Sequence, residues 1–350
     1  MKFDPSVDSN LMHYYYTNYT RCPPSSTSSL ATWEFVATFL HSVLVIQSPL
    51  AVFTGYCIVK KTPKAMGSLK WAMLNVHLWS CYMDILICSM VTPYLMLPAV
   101  GGFTVGVLRF LGVPTSVQTY LAITSVGFMF NSITALFENR SSSFQMNWFR
   151  FEKNWKRYSF FVFNGFVTAI CLSPLFFVIP DQNVARIWQL NTLPCPYPEY
   201  FSSPVFILLI DGESAWYLTS VLFVQWCYIF FSIIFFISCT TYYIFYAETV
   251  NFSQKTKRLQ RMLFIGNLIQ VTIPSLFWAF PTFTVLYLVL ANIHNQPLNN
   301  IGVAFVSLHG LASMLAILFI HQPYREYIKS LVFKEKVVSL QPSLVGTIVT

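Results

Sequence analysis

Few residues in this sequence could do chemistry, and one acid stands out among them. Asp84 lies inside an apolar run, and His77 precedes it by seven residues, so both fall on one face of a helix. Asn131, Gln270 and His309 are further polar groups within apolar runs. Polar side chains are costly in such surroundings, so each is a candidate for ligand binding or for a conformational switch. The alternative is hydrogen bonding between helices, which holds a bundle together.

These polar residues do not form a catalytic set. Intramembrane hydrolysis needs paired acids or a nucleophile with a base, and Asp84 is an isolated acid. The sequence has no His-Glu-x-x-His, Gly-x-Ser-x-Gly or Walker motif. His309 and His321 are twelve residues apart, which predicts different depths and no shared metal. We therefore expect neither an enzyme nor a cofactor.

The elements that position these residues are long apolar helices. The chain has 350 residues, of which 55% are hydrophobic and 10% charged, whereas soluble domains carry about 25% charged residues. This composition predicts an all-α fold, a seven-transmembrane helix bundle in a lipid bilayer, since each apolar run is long enough to span one. The predicted helices cover residues 33–59, 69–97, 113–137, 158–179, 216–246, 262–291 and 299–320.

Prolines inside these runs mark predicted helix kinks, at Pro174, Pro274 and Pro281. The same reading divides the chain into an extracellular segment 1–32, a transmembrane domain 33–320 and a cytoplasmic tail 321–350.

The distribution of positive charge predicts the orientation of the bundle. Of the 21 lysines and arginines, 17 fall in the first, third and fifth loops and the tail, and four fall on the other side. The positive-inside rule then places the N-terminus outside and the C-terminus in the cytoplasm. The net charge of +8 is spread over short loops, so we expect no nucleic-acid partner.

This orientation separates two cysteines from the other six. Cys22 and Cys195 are the two in extracellular segments, which predicts a disulfide between the N-terminal segment and the second extracellular loop. Asn18 begins an Asn-x-Thr sequon on the same side and is a predicted glycosylation site.

The predicted cytoplasmic face gathers polar and charged residues from three helix ends. These could form a docking site for a partner, or they could be interfacial anchors that follow the positive-inside rule. The candidates are Glu138, Arg140, Lys257, Arg258, Arg261, Tyr324 and Arg325.

An ordered series of short motifs runs through residues 20–330. The motifs are Cys22-Pro23-Pro24, Tyr56-Cys57-Ile58, Lys61-Thr62-Pro63-Lys64, Met73-Leu74-Asn75-x-His77-x-Trp79, Pro93-Tyr94, Leu97-Pro98, Leu259-Gln260-Arg261, Gln270-Val271-x-Ile273-Pro274, His309-Gly310 and His321-x-Pro323-Tyr324-Arg325. This series resembles the nematode serpentine receptor class H chemoreceptors, and class I receptors share parts of it. The third helix ends in Glu138-Asn139-Arg140 where rhodopsin-like receptors read Asp-Arg-Tyr, a displacement of the arginine by about 100°.

The resemblance implies a G-protein-coupled chemosensory receptor in the plasma membrane of sensory neuron cilia. Its implied partners are a small odorant-like or pheromone-like ligand, a heterotrimeric G protein and, as a further option, a second receptor copy. Ligand binding in the extracellular half would shift the population of helix arrangements, moving the proline-containing sixth helix. A transporter or channel with seven spans is the alternative class, although the odd helix count and the lack of an internal repeat disfavour a transporter.

Overall fold

The computed structural model describes residues 9–23, 28–210, 212–247, 254–291 and 293–333, and the fold is an all-α bundle. Residues 334–350 of the predicted tail lie outside the described part. The helices are α1 Ser9–Thr17, α2 Trp33–Lys61, α3 Leu69–Ile85, α4 Val107–Phe110, α5 Thr115–Ser141, α6 Asn154–Ile170, α7 Gln182–Gln189, α8 Glu199–Ser202, α9 Gly212–Thr241, α10 Gln254–Leu290, α11 Gln296–Ser307, α12 His309–Ile320 and α13 Gln322–Phe333. The strands are β1 Pro93–Leu95, β2 Gly101–Thr104 and β3 Phe206–Ile207.

Seven helical segments of this bundle correspond to the predicted spans. Within the described ranges, six of them have at least 18 residues and enough apolar character to cross a membrane. Three of the six are composite. Helix α3 continues as a π-helix to Val91, α9 continues as a π-helix to Tyr246, and α11 is followed directly by α12. The remaining segment is α6, whose 17 residues are about 25 Å long. The sequence therefore predicted the bundle correctly.

The sixth predicted helix begins eight residues earlier than expected, because α10 starts at Gln254. Two predicted C-terminal ends are wrong by six or more residues, and a proline follows each observed end within four residues. The second span ends at Val91, and Pro93–Leu95 forms strand β1. The fourth ends at Ile170, so Pro174 lies in a 3₁₀ turn, Ser173–Phe177, and does not kink a helix. Proline has no backbone N–H and disfavours helical geometry in the residue before it, so a helix ends more easily than it continues there. Pro274 and Pro281 do lie inside a helix, α10.

A small antiparallel sheet, ordered β1-β2-β3, lies beyond the ends of α3 and α5. Two glycines of β2 allow the neighbouring strands of this sheet to approach it closely. A Cβ atom on Gly101 would lie 2.6 Å from the Phe206 carbonyl oxygen, and one on Gly102 would overlap the Tyr94 carbonyl. The sheet joins the second span to the segment before α9, at the same end of the bundle as Cys22 and Cys195. We call this end the disulfide end and the opposite one the Arg140 end.

Candidate functional site

The predicted polar residues Asp84 and His309 meet in the centre of the bundle. The Asp84 side chain, on α3, lies 3.5 Å from Nδ1 of His309, and both residues are buried. His309 Nδ1–H donates to the Val306 carbonyl at 2.9 Å, at the junction where α11 gives way to α12. The neighbouring Gly310 provides the space for the carboxylate, because a Cβ atom there would overlap Asp84.

His77 shares α3 with Asp84 but has different partners. Its Nε2–H donates to the Ala51 carbonyl on α2 at 3.0 Å, and the Cys81 sulfur lies 3.6 Å from the same nitrogen. The common helix face predicted from the spacing therefore does not make one site. His77 joins α3 to α2, whereas Asp84 faces α12.

Helix α10 carries polar and aromatic groups that face the last span. The Trp278 ring lies 5.4 Å from that of His309, centroid to centroid. Two turns earlier, Gln270 Oε1 accepts a hydrogen bond of 2.8 Å from His321 Nε2–H. Sequence reasoning selected Gln270 and His309 but missed Trp278, whose ring contacts that of His309. Gln270 and Trp278 are eight residues apart on α10, a spacing that places both on one helix face and could have identified Trp278 from the sequence.

Asn131 links helices and does not join this polar centre. Its Nδ2–H donates to the Thr168 hydroxyl at 2.9 Å, which connects α5 to α6. Tyr228 O–H on α9 then donates to Asn164 Oδ1 on α6 at 2.6 Å. Asn131 therefore connects two helices, and it also lines the cavity of about 360 Å³ between α5, α6 and α9.

At the Arg140 end, the arginine and the acid of the third-span motif are buried and have separate partners. Arg140 is 4% exposed, and its Nη2–H donates to Gln260 Oε1 on α10 at 2.7 Å. The Glu138 carboxylate instead lies 2.5 Å from Arg157 Nη2, and it accepts a hydrogen bond of 2.6 Å from Ser142. Arg140 therefore ties α5 to α10 without help from Glu138.

The predicted docking residues fall into two groups in this conformation. Tyr324 is fully buried, its hydroxyl 2.6 Å from that of Thr62, so it is enclosed like Glu138 and Arg140. Position in the sequence placed all seven on one face of the bundle, and three of them are buried in this conformation. The side chains that reach the surface, fully or in part, are Lys257, Arg258, Arg261 and Arg325.

The disulfide end is covered by the N-terminal segment. Cys22 and Cys195 are bonded, with their Cα atoms 5.8 Å apart, and Tyr14 O–H donates to the Pro194 carbonyl at 2.9 Å. The Tyr19 and Phe201 rings pack with centroids 4.7 Å apart, and burial raises the pKa of Tyr19 to about 12. Asn18 is exposed beside this packed patch, as a glycan acceptor must be.

Two ionisable groups at the disulfide end are shifted toward their neutral forms by burial. Burial lowers the pKa of His294, whose Nδ1–H donates to the Leu97 carbonyl at 2.9 Å. Burial also raises the pKa of the Glu199 carboxyl. Asn300 Nδ2–H also donates to the Leu30 carbonyl, at 2.8 Å. This bond and the His294 bond hold the loops around α11 in place.

Several cavities lie between the described helices. One of about 230 Å³ lies between α10 and α11 near strand β1, and Trp278, Pro281 and Asn299 line it. Another, of about 360 Å³, lies between α5, α6 and α9. A larger one, of about 770 Å³, lies at the Arg140 end between α2, α10 and α13. Among the described residues, no cluster of His, Cys, Asp and Glu could hold a metal ion.

Comparisons with known proteins agree with this architecture. The family profile described as "Serpentine type 7TM GPCR chemoreceptor Srh" matches residues 31–334. The chain is also 33% identical over 333 residues to a Caenorhabditis elegans protein named serpentine receptor class H-72, a match that covers 94% of each chain. This chain belongs to the Srh family of seven-transmembrane, G-protein-coupled chemoreceptors.

Proposed function

We propose that this protein binds a small ligand near the disulfide end and activates a heterotrimeric G protein at the Arg140 end. Membership of a chemoreceptor family supports the class of function. The observation that carries the mechanism is the position of α10, which lines the small cavity through Trp278 and holds Arg140 through Gln260. One helix therefore connects both proposed sites.

The ligand site of this proposal is the cavity of about 230 Å³ between α10 and α11. It lies slightly below the size range of drug-binding pockets, about 300–1,000 Å³, which suits a small molecule. Its wall is largely apolar, with Asn299 and Thr282 as polar groups that could orient a ligand. A weakly polar, odorant-like or pheromone-like compound matches this lining.

Trp278 connects this cavity to the buried polar centre. It lines the cavity, and its ring lies 5.4 Å from that of His309, which in turn faces Asp84 at 3.5 Å. A ligand that binds better when Trp278 is displaced would favour a different packing of α10 against α12. Asp84 and His309 act as switch residues in this proposal, whereas Asn131 and His77 hold helices together.

At the other end, the hydrogen bond from Arg140 to Gln260 stabilises the closed arrangement. Charge-assisted bonds of this kind contribute about 1.5–3 kcal/mol. Displacement of α10 would break this bond and uncover Arg140 beside the exposed cations Arg258 and Arg261. The resulting basic surface is the proposed G-protein contact.

Replacing Gln260 by alanine tests this mechanism. The loss of about 1.5 kcal/mol from the closed arrangement is expected to raise ligand-independent signalling about tenfold. Cyclic-nucleotide or calcium output would be measured in cells that express the receptor, with surface display quantified in parallel. Gln254→Ala, an exposed position on the same helix, is the control and should leave basal output unchanged. Unchanged basal output in the surface-displayed Gln260→Ala receptor would exclude a locking role for this bond.

The orientation of the receptor is part of the proposal, with the disulfide end outside the cell. Asn18 should then carry a glycan, so Asn18→Gln is expected to increase the electrophoretic mobility of the receptor, as glycosidase treatment would. Asn139 begins a second sequon at the Arg140 end, and Asn139→Gln should cause no such change. A glycan on Asn139 in place of Asn18 would show that the Arg140 end lies outside the cell and would contradict the proposed orientation.

The cellular context of the proposal follows the family. We place the receptor in the plasma membrane of sensory neuron cilia, with residues 1–32 outside, 33–320 in the transmembrane domain and 321–350 as the cytoplasmic tail. Pairing with a second receptor copy is compatible with this proposal. A calcium-imaging screen of odorants on cells that express the chain would identify the ligand.

A further inference from the structure

A large cavity lies apart from the proposed ligand site. It measures about 770 Å³ and opens at the Arg140 end between α2, α10 and α13. Its lining has two chemically different parts. Leu263, Ile265 and Ile269 of α10 form an apolar wall, whereas Lys61 and Arg325 bring positive charge from α2 and α13.

The two cations of this cavity lack carboxylate partners. Within the described part of the chain, neither Lys61 nor Arg325 belongs to an ion pair. Lys61 Nζ lies 4.0 Å from the Tyr327 ring centroid, and Arg325 Nη1–H donates weakly to the Phe319 carbonyl at 3.4 Å. The acid at the cavity, Glu326, accepts a hydrogen bond of 2.6 Å from Gln322. Both cations therefore remain available to an anion.

The apolar wall is continuous with the surface that faces lipid. Ile265 and Ile269 line the cavity, yet each is more than 40% exposed. Met262 and Leu276, on the same helix, are also exposed apolar side chains. An acyl chain could therefore pass from the bilayer along α10 into the cavity without crossing a polar barrier.

We propose that this cavity binds an anionic phospholipid, whose headgroup contacts Lys61 and Arg325 and whose acyl chain lies against Ile265 and Ile269. The phospholipid and the cavity are both amphiphilic, and the anionic headgroup would lie opposite the two cations. In the orientation proposed above, the cavity faces the cytoplasmic leaflet, where anionic lipids are concentrated. A soluble anion would leave the apolar wall exposed to water, and a neutral lipid would leave the cations unpaired.

A lipid in this position acts on the helix that carries the proposed lock. Leu259 lines the cavity beside Gln260, the partner of Arg140. A molecule that binds this arrangement of α10 stabilises it against arrangements in which the cavity is deformed. Anionic lipid therefore favours the closed receptor and lowers ligand-independent signalling.

The site can be tested by photolabelling the full-length receptor in phosphatidylcholine vesicles that contain a photoactivatable phosphatidylserine. Labelled peptides are expected from α10 and α13. Labelling of the Lys61→Gln/Arg325→Gln receptor should be about tenfold lower than that of wild type, because each cation near a membrane surface contributes to anionic lipid binding. Ile269→Trp, which fills the apolar wall, should reduce it as well and serves as a second variant if the charge variant folds poorly.

A matched control separates the cavity from general surface attraction. Lys60→Gln/Lys64→Gln removes the same charge from exposed neighbours that do not line the cavity, and its labelling should equal that of wild type. Equal losses in both charge variants would overturn the proposal, as would equal labelling by photoactivatable phosphatidylcholine. Competition by soluble glycerophosphoserine as effective as that by the lipid would assign the site to a free headgroup instead. The readout needs neither ligand nor G protein, so its failure is distinct from failure of the proposed receptor function.

Discussion

Replacing Gly310 by alanine is expected to destabilise the receptor by about 3 kcal/mol, at the upper end of the usual cost of overpacking a core. A Cβ atom at this position would overlap the Asp84 carboxylate, which is buried and cannot move into solvent. Either α3 and α12 move apart or Asp84 takes a strained rotamer, and both outcomes disturb the contact with His309. The expected result is a lower melting temperature of the purified receptor and reduced surface display.

Two companion variants identify the cause of this destabilisation. Gly302→Ala, in α11, is the control, because a Cβ atom there would lie 3.7 Å from Pro281, an ordinary contact. Asp84→Ala removes the group that clashes, so the Asp84→Ala/Gly310→Ala receptor should be more stable than additive losses predict. Additive losses would show that the overlap with Asp84 is not the reason that glycine is needed.

Loss of the Cys22–Cys195 disulfide is the second large effect expected. The bond joins cysteines separated by 173 residues and holds the N-terminal segment over the disulfide end. Removing a native disulfide costs about 2–5 kcal/mol, and more for longer loops in the chain-entropy account. Cys22→Ser should therefore release α1 and its Tyr14 contact with Pro194. The measurements are surface display and protection of the N-terminal segment from protease.

The behaviour of the other cysteines distinguishes a structural disulfide from a general sensitivity to cysteine loss. The Cys22→Ser/Cys195→Ser receptor should resemble either single variant, since one bond is lost in each case. Cys227→Ser, at an exposed free cysteine of α9, should behave like wild type. Normal surface display and unchanged protease protection in Cys22→Ser would contradict a role for the bond in holding the segment.

Much of the architecture could be predicted because it depends on local composition. An apolar run in lipid must satisfy its own backbone hydrogen bonds, so its length alone indicates a spanning helix. The ends were less predictable where proline intervened. The second span was predicted to run to residue 97 and ends at Val91, and the fourth ends at Ile170, before Pro174. Strand β1 depends on pairing with β2, a contact that no local pattern of the second span reveals.

The candidate site was predictable as a set of residues but not as a set of partners. Asp84 and His309 were selected because polar groups are rare in apolar runs, yet they are 225 positions apart and their contact depends on the packing of α3 against α12. For Glu138 and Arg140, nearness in sequence suggested a common role. Their actual partners, Arg157 and Gln260, come from other helices.

Sequence alone determined the class of protein, the number of its spans, the charge asymmetry of its loops and the family motifs, because hydrophobicity and charge act residue by residue. Tertiary structure alone decided which polar groups meet, which of the docking candidates are buried and where the cavities lie. These features depend on helix rotation and separation, which are set by side chains far apart in the chain, such as Gly310 opposite Asp84. The hydrophobicity and charge of single residues therefore do not reveal them.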